Sequence, residues 1–189
     1  MRQLYLIRHA SPQIQPNVPA RDWPLSERGI EEARAIARVA DGWGLRAVYA
    51  SPEQKARSTA LVLAERAGLF VRVVDGFEEL RIDDWIGNAD EFSELVRRIL
   101  EEPDVSVRGA ERASAAAARF AAGVRVVEEG PFPAAIVSHG RVLTAYLAML
   151  LRLEDPFAFW RAVPMPAWAA LDLDAAPPKL LTAFTAPSG

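Results

Sequence analysis

Residues 3–7, "QLYLI", are apolar and β-prone with no alternation of polar and apolar positions. A strand of that kind must be covered on both faces, which is the condition of a parallel sheet lying between helices. The next segment supplies such a helix. "PLSERGIEEARAIARVADGWG" offers Ser26 as an N-cap, acidic residues in the early turns, apolar positions at Ile30, Ala33, Ile36, Ala37 and Ala40, and glycines beyond the end. The unit recurs: "LRAVYAS" reads as a strand, and "PEQKARSTALVLAERAG" as a helix with Pro52 in its first turn and Gly68 at its C-terminus. "FVRVVD" reads as a third strand. Strands alternating with helices imply right-handed crossovers and an α/β fold, a three-layer αβα sandwich around a mostly parallel sheet.

Residues 76 to 109 break this rhythm. "DEFSELVRRILEEP" is a lone amphipathic helix among polar, glycine-bearing loops with no strand behind it, so the segment reads as a small inserted cap. The pattern resumes with an Ala-rich helix at about 110 to 129, the strand "AAIVS" at 134 to 138 and a helix from about 141 to 152. "WAALDLD" and "KLLTAF", joined by "AAPP", resemble a hairpin that adds an antiparallel edge strand to the sheet. With no repeat, low-complexity tract or linker, the 189 residues read as one domain. A chain of that size buries roughly 70% of its unfolded surface.

The net charge of −3 argues against broad binding to nucleic acid or to anionic lipid, so any positive site must be local. The chain has no cysteine, which rules out disulfides and thiolate metal sites and suits a reducing cytosol. Arg8 and His9 interrupt the first apolar run well before a signal-peptide core could form, and "VLTAYLAMLL" at 142 to 151 is too short to span a bilayer. A soluble, cytoplasmic protein is the expectation; a homodimer is left open.

The chain has two histidines, and both stand where an apolar strand ends: His9 after the first run, His139 in "AAIVSHGRVL", at a strand end that opens a helix. Open parallel sheets bind ligands at the carboxyl edge of their strands, so two such histidines can meet in one crevice. Arg8 adjoins His9, and Lys55 and Arg57 lie near the start of the second helix. Cations and helix N-terminal N–H groups at one sheet edge make a receptor for an anion, phosphate above all. Glu78 and Glu79 come after the third strand and can reach the same edge. A carboxyl in that company can donate a proton once an incoming phosphate raises its pKa.

These residues resemble the histidine phosphatases, the superfamily of phosphoglycerate mutase-like enzymes. The resemblance runs along nearly the whole chain: "RHA", "PLSERGIEEA", "SPEQKARSTA", a glutamate after the third strand, "GAERASAAAAR" and "VSHG", in order. It implies that His9 is a nucleophile forming a phosphohistidine. His139 would stabilise the transferring oxygens, Arg8 would grip the phosphate, and Glu79 would protonate the leaving alcohol and then activate water. Lys55, Ser11 and Gly140 are the further phosphate contacts it implies, and no metal or other cofactor is called for. For attack, Nε2 of His9 must be unprotonated, which is met if its Nδ1–H is held by a backbone carbonyl.

The chain departs from the family pattern in places. The family usually has arginine at the position of Lys55, four residues before Thr59. Residues i and i+2 on a helix point about 200° apart, so only one of Lys55 and Arg57 faces the pocket; register with Thr59 selects Lys55. It is one of two lysines in a chain with twenty arginines. After "RH" the family commonly has glycine, where Ala10 stands here; Ser11 either replaces a threonine hydroxyl or, more simply, forms a turn with Pro12. Glu79 is preferred to Glu78 because Phe77 occupies the apolar position two before the family's acid. Glu111 and Arg119 match a family pair whose expected work is to hold the cap or the helix entrance, and Trp85 is a candidate for the substrate mouth. The expected activity is hydrolysis of a small phosphomonoester. The alternatives are a phosphoglycerate-type mutase, a protein phosphohistidine phosphatase, a metal site built from His9, His139 and Glu79, and a non-catalytic phosphate-binding protein.

Overall fold

The computed structural model describes residues 2–83 and 86–187. Its elements run β1 (Gln3–Arg8), α1 (Glu27–Val39), β2 (Ala47–Ala50), α2 (Gln54–Ala67), β3 (Val71–Val73), α3 (Ala89–Glu101), α4 (Ala113–Glu128), β4 (Ala134–Ser138), α5 (Gly140–Leu151), α6 (Pro156–Ala162), β5 (Ala167–Asp172) and β6 (Lys179–Thr185). The strands form one sheet in the order β3-β2-β4-β1-β5-β6. β2 pairs in parallel with β3 and β4, and β4 in parallel with β1; β5 joins β1 antiparallel and carries β6 as the second arm of a hairpin.

The three central strands are covered on both faces, as their unbroken apolar runs require: β2 and β4 are buried throughout and β1 is buried from Leu4 to Ile7. Alternate residues feed two separate cores. Tyr5, Ile7, Val48, Ala50, Ala135 and Val137 pack under α1 and α2. Leu4, Leu6, Tyr49, Ala134 and Ile136 pack under α3, α4 and α5. This is the expected three-layer sandwich. The helix of the 76–109 segment contributes Leu95, Val96, Ile99 and Leu100 to the second core, so its apolar face continues the main packing and does not close a miniature core of its own.

Some local details differ from the sequence reading. α2 begins at Gln54 with Glu53 as its N-cap, so Pro52 precedes the helix and is not in its first turn. The third strand shrinks to Val71–Val73 at the sheet edge, and Phe70 is 92% exposed beside it. Ile30 faces outward at 38% exposure, while Ala33, Ile36 and Ala37 are buried. α4 starts three residues later than the Ala-rich pattern suggests, with Glu111 and Arg112 before it. α6 has no counterpart in the sequence pattern: its seven residues are capped by Asp155, whose carboxylate accepts the Ala158 N–H, but are too few to show a helical period. Trp85 lies outside the described residues.

The β1–α1 loop is bolted to the helix beyond it. Ser26 caps α1, its Oγ accepting the Gly29 N–H at 3.0 Å, and the Ser26 N–H and hydroxyl both donate to the Ser11 carbonyl, at 3.0 and 3.1 Å. A Cβ on Gly29 would lie 2.0 Å from that same carbonyl oxygen. Glycine is required here by proximity. At an exposed helical position Gly→Ala stabilises by roughly 1 kcal/mol. In this chain Gly29→Ala is expected to destabilise by about 1–3 kcal/mol, the scale of overpacking, read as a lower urea midpoint accompanied by lost activity as the loop bearing His9 is displaced.

Candidate active site

β1 and β4 lie side by side in register, Arg8 opposite Ser138, so the residues just beyond them are neighbours by construction. The chain leaves β1 toward α1 on one face of the sheet and leaves β4 toward α5 on the other, which makes the gap between them a topological switch point. The rings of His9 and His139 meet there with centroids 5.1 Å apart, edge to face. Both are buried, at 7% and 0% exposure.

Burial decides their charge. Desolvation holds His9 well below the usual histidine value, and the neighbouring His139, Lys55 and Arg8 push in the same direction. Desolvation lowers His139 to about 3, against an opposing pull from Glu79. Both imidazoles are neutral at physiological pH. His9 Nδ1 lies 2.8 Å from the Ala10 carbonyl. A carbonyl can only accept, so the proton sits on Nδ1 and the lone pair on Nε2. The Ala10 N–H in turn donates to Thr59 Oγ at 3.1 Å, tying the loop to α2.

Lys55 points inward with 8% of its side chain exposed, while Arg57 is exposed on the opposite side of α2. The ammonium donates to Glu53 Oε2 at 2.5 Å and to the Ala20 carbonyl at 2.8 Å, and its charge is felt by both imidazoles. Arg8 donates to the Val163 carbonyl at 2.7 Å, and its side chain passes over Gly140, where a Cβ would lie 3.1 Å from the guanidinium. Three buried nitrogens, Arg8 Nε, His139 Nδ1 and Arg141 Nε, have no hydrogen-bond partner among the described residues.

Glu79 takes the inner of the two acidic positions. Its Oε1 accepts the N–H of Val142 at 2.9 Å and of Leu80 at 2.8 Å, and Oε2 accepts the Arg141 N–H at 3.3 Å with the Arg141 Nε 3.6 Å away. It thereby serves as the missing cap of α5, whose own N-cap residue, His139, makes no such bond. Desolvation would raise its pKa, but Arg141, His139 and the amide N–H groups outweigh burial and bring it down to about 2. Glu78 instead turns back to the Gly76 N–H at 2.7 Å and stays about one-third exposed.

The loop carrying Glu79 is held from behind. Arg119 makes a two-pronged pair with Glu111, both contacts 2.8 Å, and donates to the carbonyls of Gly76, Glu78 and Glu79. Five planar donors suit that work. Ser11, by contrast, is held through its backbone, its N–H on Glu32 and its carbonyl on Ser26; its hydroxyl has no hydrogen bond among the described residues. His9, His139, Arg8, Lys55, Glu79 and Gly140 are thus brought together, whereas the bonds of Ser11 run to the N-terminal part of α1. Among the described residues no group of three or more His, Asp or Glu side chains has metal-holding geometry.

The site also contains residues absent from the sequence-based set. Arg141 stacks over the Phe92 ring of α3 at 5.4 Å and donates to the Leu80 carbonyl. Ser51 bonds His139 Nε2 at 2.9 Å. Glu53 accepts from Lys55 and from the Glu79 N–H. The available signal was position: Ser51 directly follows β2, the neighbour of the strand that precedes His139, and Arg141 is two residues past that histidine.

Two neutral imidazoles thus share one sheet edge with the Arg8, Lys55 and Arg141 cations and the Glu79 carboxylate. The model of the histidine phosphatase superfamily (branch 1) matches residues 4–184, and the chain belongs to that superfamily, a phosphatase by class. It is 32% identical over 184 residues to the glucosyl-3-phosphoglycerate phosphatase of Mycobacterium tuberculosis, covering 86% of this chain and 80% of that protein. It is 29% identical over 171 residues to phosphoserine phosphatase 1 of Hydrogenobacter thermophilus, covering 85% and 81%. Among solved structures it is similar to mycobacterial hydrolase 2, with a TM-score of 0.80 at 26% identity over 100% of this chain and 92% of that one. It is also similar to mycobacterial glucosyl-3-phosphoglycerate phosphatase in complex with inorganic phosphate, with a TM-score of 0.78 at 25% identity over the whole of both chains. No helix among the described residues is long and apolar enough to cross a membrane.

The histidines set an acid limit on stability. The unfolded chain protonates them near pH 6.5, and the folded chain refuses those protons, His139 down to about 3. The unfolded state therefore binds more protons in that window, and stability falls as pH drops through it. Glu79 extends the loss from the ordinary glutamate range down to about 2. Urea midpoints should decline between about pH 7 and about pH 4, and His139→Gln should flatten that decline; an unchanged slope in the variant contradicts the assignment.

Proposed function

We propose that the protein hydrolyses a small phosphomonoester through a phosphohistidine on His9, without a metal. The observation that carries this reading is the fixed tautomer of His9: Nδ1–H on the Ala10 carbonyl, the Nε2 lone pair available, and a neutral ring at neutral pH. Nε2 attacks phosphorus and the bond from phosphorus to the ester oxygen breaks. Arg8, Lys55 and the neutral N–H of His139 balance the charge on the equatorial oxygens. The orphaned Arg8 Nε and His139 Nδ1 suit such an oxyanion. Gly140 leaves room for the Arg8 guanidinium beside the phosphate, and Ser11 adds a hydroxyl.

Glu79 stands ionised before substrate binds. The proton for the leaving alcohol enters with the substrate, since the second ionisation of a phosphomonoester lies near pH 6. The bound phosphate offsets the cations that hold Glu79 down, and the carboxyl takes that proton and passes it to the departing alkoxide. In the second step water attacks the phosphohistidine, gives its proton to Glu79, and the nitrogen–phosphorus bond breaks. The names of the relatives, a glucosyl-3-phosphoglycerate phosphatase and a phosphoserine phosphatase, support a small phosphorylated metabolite as substrate. They also favour hydrolysis over the mutase, phosphohistidine phosphatase and binding-only alternatives.

The test is turnover of para-nitrophenyl phosphate and of an alkyl phosphate in the presence of EDTA. Wild type should turn over both, with acid-labile phosphate trapped on the protein by rapid quench, and His9→Ala should do neither. Glu79→Gln should lose about 10²–10⁴ in kcat on the alkyl ester and much less on the nitrophenyl ester, whose phenolate leaves without a proton. Absence of turnover by wild type, with phosphate still bound, would favour the binding protein.

A further inference from the structure

Glu53 is where the phosphate side and the proton side of the pocket meet. It is the N-cap of α2, a position whose acidic side chain ordinarily accepts from the first amide groups of its own helix. Its carboxylate makes no such bond. It turns into the site, with 11% of the side chain exposed. Oε2 accepts from Lys55 Nζ at 2.5 Å; Oε1 accepts the Glu79 N–H at 2.8 Å and lies 3.7 Å from His139 Nε2. Of the three ammonium donors of Lys55, one is on Glu53 and one on the Ala20 carbonyl, which leaves a single N–H for an anion.

Tight anion binding does not call for a carboxylate at this point. Negative charge beside the lysine weakens the hold on every phosphate ion, substrate and product alike. The bonds of Glu53 show what it supplies in exchange: a fixed direction for the remaining Lys55 donor, and an anchor for the backbone from which the Glu79 side chain springs. A lysine, with its mobile point charge, needs such a guide more than a planar arginine does.

We propose that Glu53 is a positioning residue that holds Lys55 and the Glu79 backbone in fixed relation and, by offsetting part of the lysine charge, lets product phosphate leave the pocket. This rests on the phosphate-binding reading of the site given under the proposed function. The experiment is calorimetric titration of inorganic phosphate into wild type, Glu53→Gln and Glu53→Asp at one pH and ionic strength, alongside steady-state kinetics. Glu53→Gln removes the charge and should bind phosphate roughly tenfold tighter, as expected for one unscreened neighbouring charge, with kcat and KM both lowered. Glu53→Asp keeps the charge but withdraws it by one methylene; phosphate affinity should stay within about twofold of wild type while kcat falls.

Equal or weaker phosphate binding by a folded Glu53→Gln, judged by circular dichroism and its urea midpoint, overturns the proposal. If that variant does not fold, Glu53→Asp decides: loss of phosphate affinity in step with kcat overturns it. Wild type that binds no phosphate brings down the site reading and this inference together. Wild type that binds, with both variants matching it in affinity and kcat, brings down the inference alone.

Discussion

The in-register parallel pairing of β1 with β4 is the constraint on which the rest of the structure depends. A parallel ladder aligns equivalent ends, so the residues after Arg8 and Ser138 are held at one level on one edge. The divergence of α1 and α5 to opposite faces then opens a gap at that level. His9 and His139 fill it from segments 130 residues apart in the chain. Without that ladder the imidazoles would have no reason to meet.

The electrostatics are shaped by what the fold takes out of water. Burial strips both imidazoles of charge, although one of them has a carboxylate close by. The same burial does not neutralise Glu79, because two helix amides, a loop amide and a guanidinium converge on it. The outcome is a pocket whose bases are uncharged and whose acid is charged before any ligand arrives, an inversion that each group's surroundings explain. Arg119 and Glu111 grip the Glu79 loop from its backbone side.

The layers, the order of elements and the neighbourhood of the two histidines were legible because they depend on periodicity and strand ends, which single residues report directly. The inward turn of Lys55 was legible from helical geometry once one register mark, Thr59, was chosen. What was hidden depends on side-chain direction across distant segments. Nothing local distinguishes Glu53 from any acidic helix cap, and only the arrival of Lys55 and Glu79 beside it gives it another partner. Arg141 reads as an ordinary helix residue until Phe92 and Glu79 flank it. The short helix α6 and the shortened β3 escaped because elements of seven and three residues carry too little pattern to recognise.

The capping of α5 by Glu79 has a consequence for how the scaffold experiences the chemistry. The oxygen that would carry a proton to the ester also closes the positive end of a twelve-residue helix running from the pocket into the second core. In the proposed reaction each protonation of that carboxyl discharges the helix terminus, and each deprotonation recharges it. In that proposed cycle the backbone dipole of α5 would be loaded and unloaded twice per turnover, once in each step.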